Sequence, residues 1–130
     1  MTRSGKDLPV RRSLAVADLS WDGRVLRVGL LSASFGPREV PELNEHMAEF
    51  LVTAGGDLRH LVIDVRPVRF MSSMGLGFCI ASRNEASRRG ASAHVLGAAT
   101  ELLDMFKLMK LDTMFHFHRG EDELAKRLSA

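Results

Sequence analysis

The 130-residue chain contains one cysteine and no tyrosine. Cys79 alone closes no intrachain disulfide, and there is no cysteine cluster to hold a structural zinc. Aromatic residues make up only 6% of the chain, too few for a platform on which bases stack. No apolar run approaches the roughly 18–20 residues of a membrane span. The opening segment MTRSGKDLPVRR has no apolar stretch behind its charges, so no secretory signal is expected. No internal repeat or low-complexity segment is present. Charge of one sign is not in large excess: 18 Lys and Arg face 16 Asp and Glu, a net charge of +2. The sequence therefore points to neither a nucleic-acid nor a membrane partner. The exception is the start, where Arg3, Lys6, Arg11 and Arg12 face only Asp7. Residues 1–12 are expected to form a disordered basic tail.

What is present is ordinary for a globular protein: 45% hydrophobic and 26% charged residues. A chain of this length buries about two-thirds of its unfolded surface in one core and needs no metal or disulfide. One cytoplasmic domain over residues 13–130 is the expectation. Leu14–Leu19 and Arg24–Leu31 read as two strands around Trp21-Asp22-Gly23, an Asp-Gly hairpin signal. Residues 32–39 read as a loop punctuated by Gly36-Pro37. Leu43, Met47, Phe50 and Leu51 then repeat on one helical face, beginning near Pro41 and ending at Gly55-Gly56. His60–Val65 is a compact apolar run, as in a central strand covered on both faces. A second helix opens at Ser72-Ser73-Met74-Gly75-Leu76-Gly77 and runs to about Arg89, before Gly90. Ala91–Leu96 forms another strand, Leu102 to Met109 a third helix, Met114–His118 a short strand and Glu121–Leu128 a terminal helix. This alternation specifies an α/β domain: a mixed sheet of about four or five strands, parallel in its middle, with about four helices.

Chemistry is expected at the junction 64–77, because open α/β sheets keep their sites at the C-terminal edge of the strands. Two readings of Ser72 and Ser73 fit. One serine caps the helix through its side-chain oxygen, or an exposed hydroxyl accepts a phosphate, which the free N–H groups and dipole of a helix start tolerate. Gly75 and Gly77 would let the first turn approach a neighbouring backbone. Enzyme motifs fail here. Met71 stands where a nucleophile elbow needs glycine, no Gly-Lys-Ser/Thr tripeptide exists for a P-loop, and a dinucleotide fingerprint lacks its third glycine. His116 and His118 flank Phe117 and share a strand face, but with no evident third ligand they read as surface residues. His46, His60 and His94 read as isolated. No catalytic residue, cofactor or metal is expected.

The run Leu61-Val62-Ile63-Asp64 through Phe70-Met71-Ser72-Ser73-Met74-Gly75-Leu76-Gly77 resembles the STAS domain of bacterial anti-sigma factor antagonists. The likeness continues through Arg89-Gly90 and through Leu108-Met109-Lys110-Leu111-Asp112-Thr113-Met114-Phe115, covering roughly residues 13–129. It implies a STAS-like single domain and a non-enzymatic role in transcription regulation: binding an anti-sigma factor that is also a serine kinase. That family carries Asp-Ser-x-Gly at this junction, and its serine is phosphorylated. The alignment implies Ser73 as acceptor, Ser72 in the place of the aspartate, and Met71, Ser72, Ser73, Met74, Gly75 and Gly77 as the partner-binding loop. The attacking hydroxyl's base and the magnesium ligands belong to the kinase, so the acceptor needs no carboxylate beside it. Lys110 replaces a frequent glycine at a helix end, where it is expected to alter only the local cap. A PP2C-type phosphatase is a further partner compatible with the resemblance. The alternative is a non-phosphorylated STAS scaffold or accessory subunit of a larger complex.

Overall fold

The computed structural model describes residues 10–129. Its chain order begins with β1 (Val10–Ser13), β2 (Ala17–Trp21), β3 (Val25–Leu30), β4 (Ser34–Phe35) and α1 (Val40–Ala54). It continues with β5 (His60–Asp64), β6 (Phe70–Met71), α2 (Ser73–Arg88), β7 (Ser92–Leu96), α3 (Thr100–Leu108), β8 (His116–His118) and α4 (Glu121–Leu128). The main sheet has six strands in the order β1-β2-β3-β5-β7-β8. Strands β1 to β3 pair antiparallel, and β3, β5, β7 and β8 pair parallel.

The hairpin forms where Asp-Gly marks it. Asp22 Oδ1 accepts from the backbone N–H of Arg24 (2.9 Å) and Val25 (2.7 Å), while Gly23 takes φ 94°. β2 and β3 alternate buried and less buried positions, whereas Leu61, Val62 and Ile63 of β5 are all buried, as a strand between two parallel neighbours requires.

One face of the sheet is dry. Leu26, Val28 and Leu30 of β3 and Leu61 and Ile63 of β5 pack with Leu43, Met47 and Phe50 of α1, Leu76 and Cys79 of α2 and Leu102 and Phe106 of α3. Burying each such side chain contributes about 1.5–3 kcal/mol. Phe106 meets Phe115 and Phe117 edge-on, with centroids 5.7 and 5.6 Å apart. The other face is covered by α4 through a small cluster of Val62, Leu96 and Leu124, against which Val25 and Leu128 pack.

Four expectations change. Residues 1–9 of the expected tail lie outside the described residues, but Val10, Arg11 and Arg12 belong to β1, so the domain begins earlier than residue 13. Arg12 is held there by Glu49 and by the ring nitrogen Nδ1 of His46 at 2.9 Å, contacts that charge counting along the chain cannot show. The sheet therefore has one strand more than about four or five. The first hairpin strand is Ala17–Trp21 rather than Leu14–Leu19. The loop 32–39 contains β4, which pairs parallel with β6 as Ser34 with Phe70 and Phe35 with Met71. Lys110 adopts φ 59°, the left-handed conformation that glycine takes most easily, so its place at a helix end is a local cap with some strain.

Candidate functional site

The junction between β6 and α2 lies beyond the C-terminal end of β5, strapped down by β4. Ser72 N–H donates to the Phe35 carbonyl (3.0 Å), and Arg69 and Phe70 N–H both donate to the Ala33 carbonyl (2.7 and 3.0 Å). Helix α2 starts on this fixed backbone. Ser72 is its N-cap, with extended backbone (φ −77°, ψ 175°), and its Oγ accepts from Gly75 N–H at 3.3 Å. A Cβ on Gly36 would lie 2.4 Å from that same Oγ, so the Ser72 hydroxyl is wedged between helix and strap.

Ser73 differs. It is the first helical residue and is exposed, whereas Ser72 is half-buried. Met74 and Phe70 beside it are 48% and 55% exposed, two large apolar side chains facing solvent. Met71 is buried, and its sulfur accepts from the Cys79 thiol at 3.8 Å. Burial pushes that thiol up to about 12, which keeps it protonated and unreactive. Gly75 is also buried. A Cβ there would lie 2.5 Å from the Phe35 carbonyl oxygen and 2.6 Å from Met71 Cγ, so glycine permits the strap to touch the helix. Gly77 is exposed with nothing near its Cβ position, and the close approach expected of both glycines belongs to Gly75 alone. Of the expected loop, Ser73, Met74 and Gly77 face outward, Ser72 is intermediate, and Met71 and Gly75 form its support.

A cleft of about 370 Å³ adjoins Ser72, lined by Phe35, Pro37, Arg38 and Phe70 among others. The strap and Arg38 carry little signature in the sequence. Gly36-Pro37 is the one local signal there, and a two-residue strand has no periodicity to detect. A larger cavity, about 580 Å³, lies on the sheet face away from α1, between Arg11, Asp18, Arg27 and Asp64. Two of its arginines are already committed: Arg66 Nη2 lies 2.6 Å from Asp64 Oδ2 and 3.1 Å from Glu121 Oε2, and Arg27 also pairs with Glu121. The bond from Arg27 holds the Glu121 carboxyl below its usual range.

The histidines correct two expectations. His60 and His94 are not isolated, because His60 Nδ1 lies 3.0 Å from His94 Nε2, and His94 Nδ1 lies 2.9 Å from His118 Nε2. His118 is not a surface residue: it is buried, as is His94, while His116 is exposed against Arg127. Pairing β5, β7 and β8 in register brings residues distant in sequence to one face. Burial, followed by its histidine neighbours, pushes His94 down to about 3, and burial also lowers His60, His116 and His118. The His94 ring is the hub, with the rings of His60, His116 and His118 centred 5.1, 5.3 and 5.1 Å from it. Among the described residues, no group of three or more His, Cys, Asp or Glu is placed to hold a metal ion.

The model of the STAS domain matches residues 37–124. The chain belongs to the STAS domain family. No curated protein matches it by sequence. Among solved structures it is similar to a STAS-domain anti-sigma-factor antagonist protein from Planctomyces limnophilus, at 12% identity and TM-score 0.73, covering 88% of this chain and 98% of that one. An anti-sigma factor antagonist from Mycobacterium paratuberculosis matches at 16% identity and TM-score 0.68, covering 100% of both chains. The Bacillus cell fate determinant SpoIIAA in its phosphorylated form matches at 14% identity and TM-score 0.67, over 86% of this chain and 98% of that one. At these identities the likeness is one of fold. Among the described residues, no helix of this STAS protein is long and apolar enough to cross a membrane.

Proposed function

We propose that the protein is an anti-sigma factor antagonist that binds a serine-kinase anti-sigma factor and is released when Ser73 is phosphorylated. The observation that carries this reading is the division of work between two adjacent serines. Ser72 spends its oxygen on the Gly75 N–H and is wedged against Gly36, whereas the Ser73 hydroxyl is open to an incoming enzyme. Serine and aspartate are both strong N-caps, so Ser72 takes over the structural part of the aspartate that the family motif places there.

A phosphate at the first helical position adds about −1.5 to −2 charge where the helix dipole and free N–H groups favour an anion, so the fold tolerates it. In an interface the same group must be desolvated or faces like charge, which weakens binding. The hydroxyl therefore separates stability from affinity. The kinase supplies base and metal, so no catalytic group of this chain is required. A PP2C-type phosphatase would reverse the step by hydrolysis.

The test is to incubate the protein with ATP and each serine-kinase anti-sigma factor of its source organism, then map phosphate by mass spectrometry. Labelling at Ser73, retained in Ser72→Ala and lost in Ser73→Ala, is expected. Labelling at Ser72 would reverse the two roles, and absence of label on either serine would replace the switch with a non-phosphorylated scaffold.

A further inference from the structure

The charge around this junction is one-sided. Loops 31–39 and 65–74 carry Arg38, Arg66 and Arg69 against a single carboxylate, Glu39. That carboxylate is turned inward, with Oε1 accepting from Gly36 N–H at 2.8 Å. Arg66 is occupied by Asp64 and Glu121. Arg38 and Arg69 are exposed, and the ion pairs found among the described residues include neither. Both stand on fixed backbone. Arg69 N–H is bonded to Ala33, and Arg38 follows Gly36-Pro37 in the turn closed by Glu39 N–H on the Gly36 carbonyl at 3.0 Å. Arg38 lines the 370 Å³ cleft together with Phe35, Pro37 and the exposed Phe70, and Arg69 directly precedes Phe70 in the chain.

We infer that this surface recognises an acidic partner face, with carboxylates for Arg38 and Arg69 around an apolar side chain seated in the cleft beside Phe70. The inference rests on the proposed function and adds the chemistry of the anti-sigma factor surface. An interface of this kind has an apolar centre and a charged rim, and its rim charges govern encounter rate and salt dependence. It also gives the phosphate a second action. Introduced at Ser73, the dianion lies beside the patch whose positive charge attracts the partner, neutralising it as well as repelling the partner's carboxylates.

The experiment measures binding of purified serine-kinase anti-sigma factors from the same organism to the wild type, to Arg38→Glu with Arg69→Glu, and to Arg38→Gln with Arg69→Gln. Each is followed by surface plasmon resonance over a range of salt. Both arginines are exposed, so thermal unfolding of the variants should match wild type. The expected result is a loss of roughly tenfold or more for the charge reversal, a smaller loss for the glutamines, and wild-type association that slows as salt rises. Wild-type binding matched by both variants at every salt concentration would overturn the acidic-partner inference and leave the proposed function standing. Tighter binding by the reversal would overturn it as well. Failure of the wild type to bind any of these factors at low salt would overturn both.

Discussion

The histidine-lined face under α4 and the β6–α2 junction invite opposite readings, and the structure reverses the obvious one. The α4 face holds the groups that usually mark chemistry: four histidines with Arg27, Arg66, Arg127, Asp64 and Glu121, on adjoining strands, the loop after β5 and a helix. Nearly all of these groups are satisfied by one another. The junction holds two hydroxyls, small residues and exposed apolar side chains, yet it leaves one hydroxyl open beside unpaired arginines. Polar density marks how a face is stabilised. A group left without a partner on rigid backbone marks where a second molecule can act.

The comparison breaks most readily at His94. If the ring is structural, His94→Ala should lose about 3 kcal/mol, from the cavity left behind and from two ring nitrogens, on His60 and His118, deprived of a partner. Urea unfolding with a midpoint near wild type would show that the histidine cluster contributes nothing. Acid should act on the same groups. His94 binds its proton far less readily in the folded protein, near 3, than in the unfolded chain at 6.5. The unfolded chain thus takes up more protons below about pH 6.5, and stability is complete above that value and declines as pH falls. His94 alone accounts for about 2 kcal/mol at about pH 5. Chemical denaturation between neutral pH and about pH 5 should show this decline, flattened in His94→Ala; a level wild-type profile would contradict it.

At the junction the expected effects are smaller. Gly75→Val should cost about 1–3 kcal/mol, because the added carbons meet the Phe35 carbonyl and Met71. A melting temperature equal to wild type would mean that the strap moves aside freely. Ser72→Ala should cost about 1 kcal/mol through loss of the cap, whereas Ser73→Ala should be neutral to within about 0.5 kcal/mol. Equal melting temperatures for the two alanine variants would erase the distinction between the serines.

Local pattern carried most of the fold. Helix α4 spans Glu121–Leu128 as its sequence indicates, and α1 buries Leu43, Met47, Phe50 and Leu51 on the stripe their spacing defines. The parallel centre follows from the fully apolar β5. What escaped depends on pairing between distant segments. Val10, Arg11 and Arg12 read as part of a basic tail until Arg12 meets Glu49 and His46. Ser34 and Phe35 are a loop until they meet Phe70 and Met71. His60, His94 and His118 are spaced 34 and 24 residues apart, so only the sheet register reveals their contact. At the site, the motif located the serine pair, but which hydroxyl was spent on the helix depended on backbone geometry that sequence spacing does not contain.

The proposed switch requires Ser73 to govern affinity without governing the fold. Its most direct test is titration calorimetry of Ser73→Asp and wild type against the serine-kinase anti-sigma factors of the source organism, with thermal unfolding of both. Unchanged melting together with binding weaker by roughly 30–150-fold, about 2–3 kcal/mol, is the predicted result. Wild-type affinity in Ser73→Asp, or a loss of affinity that merely follows a loss of folded protein, would contradict it.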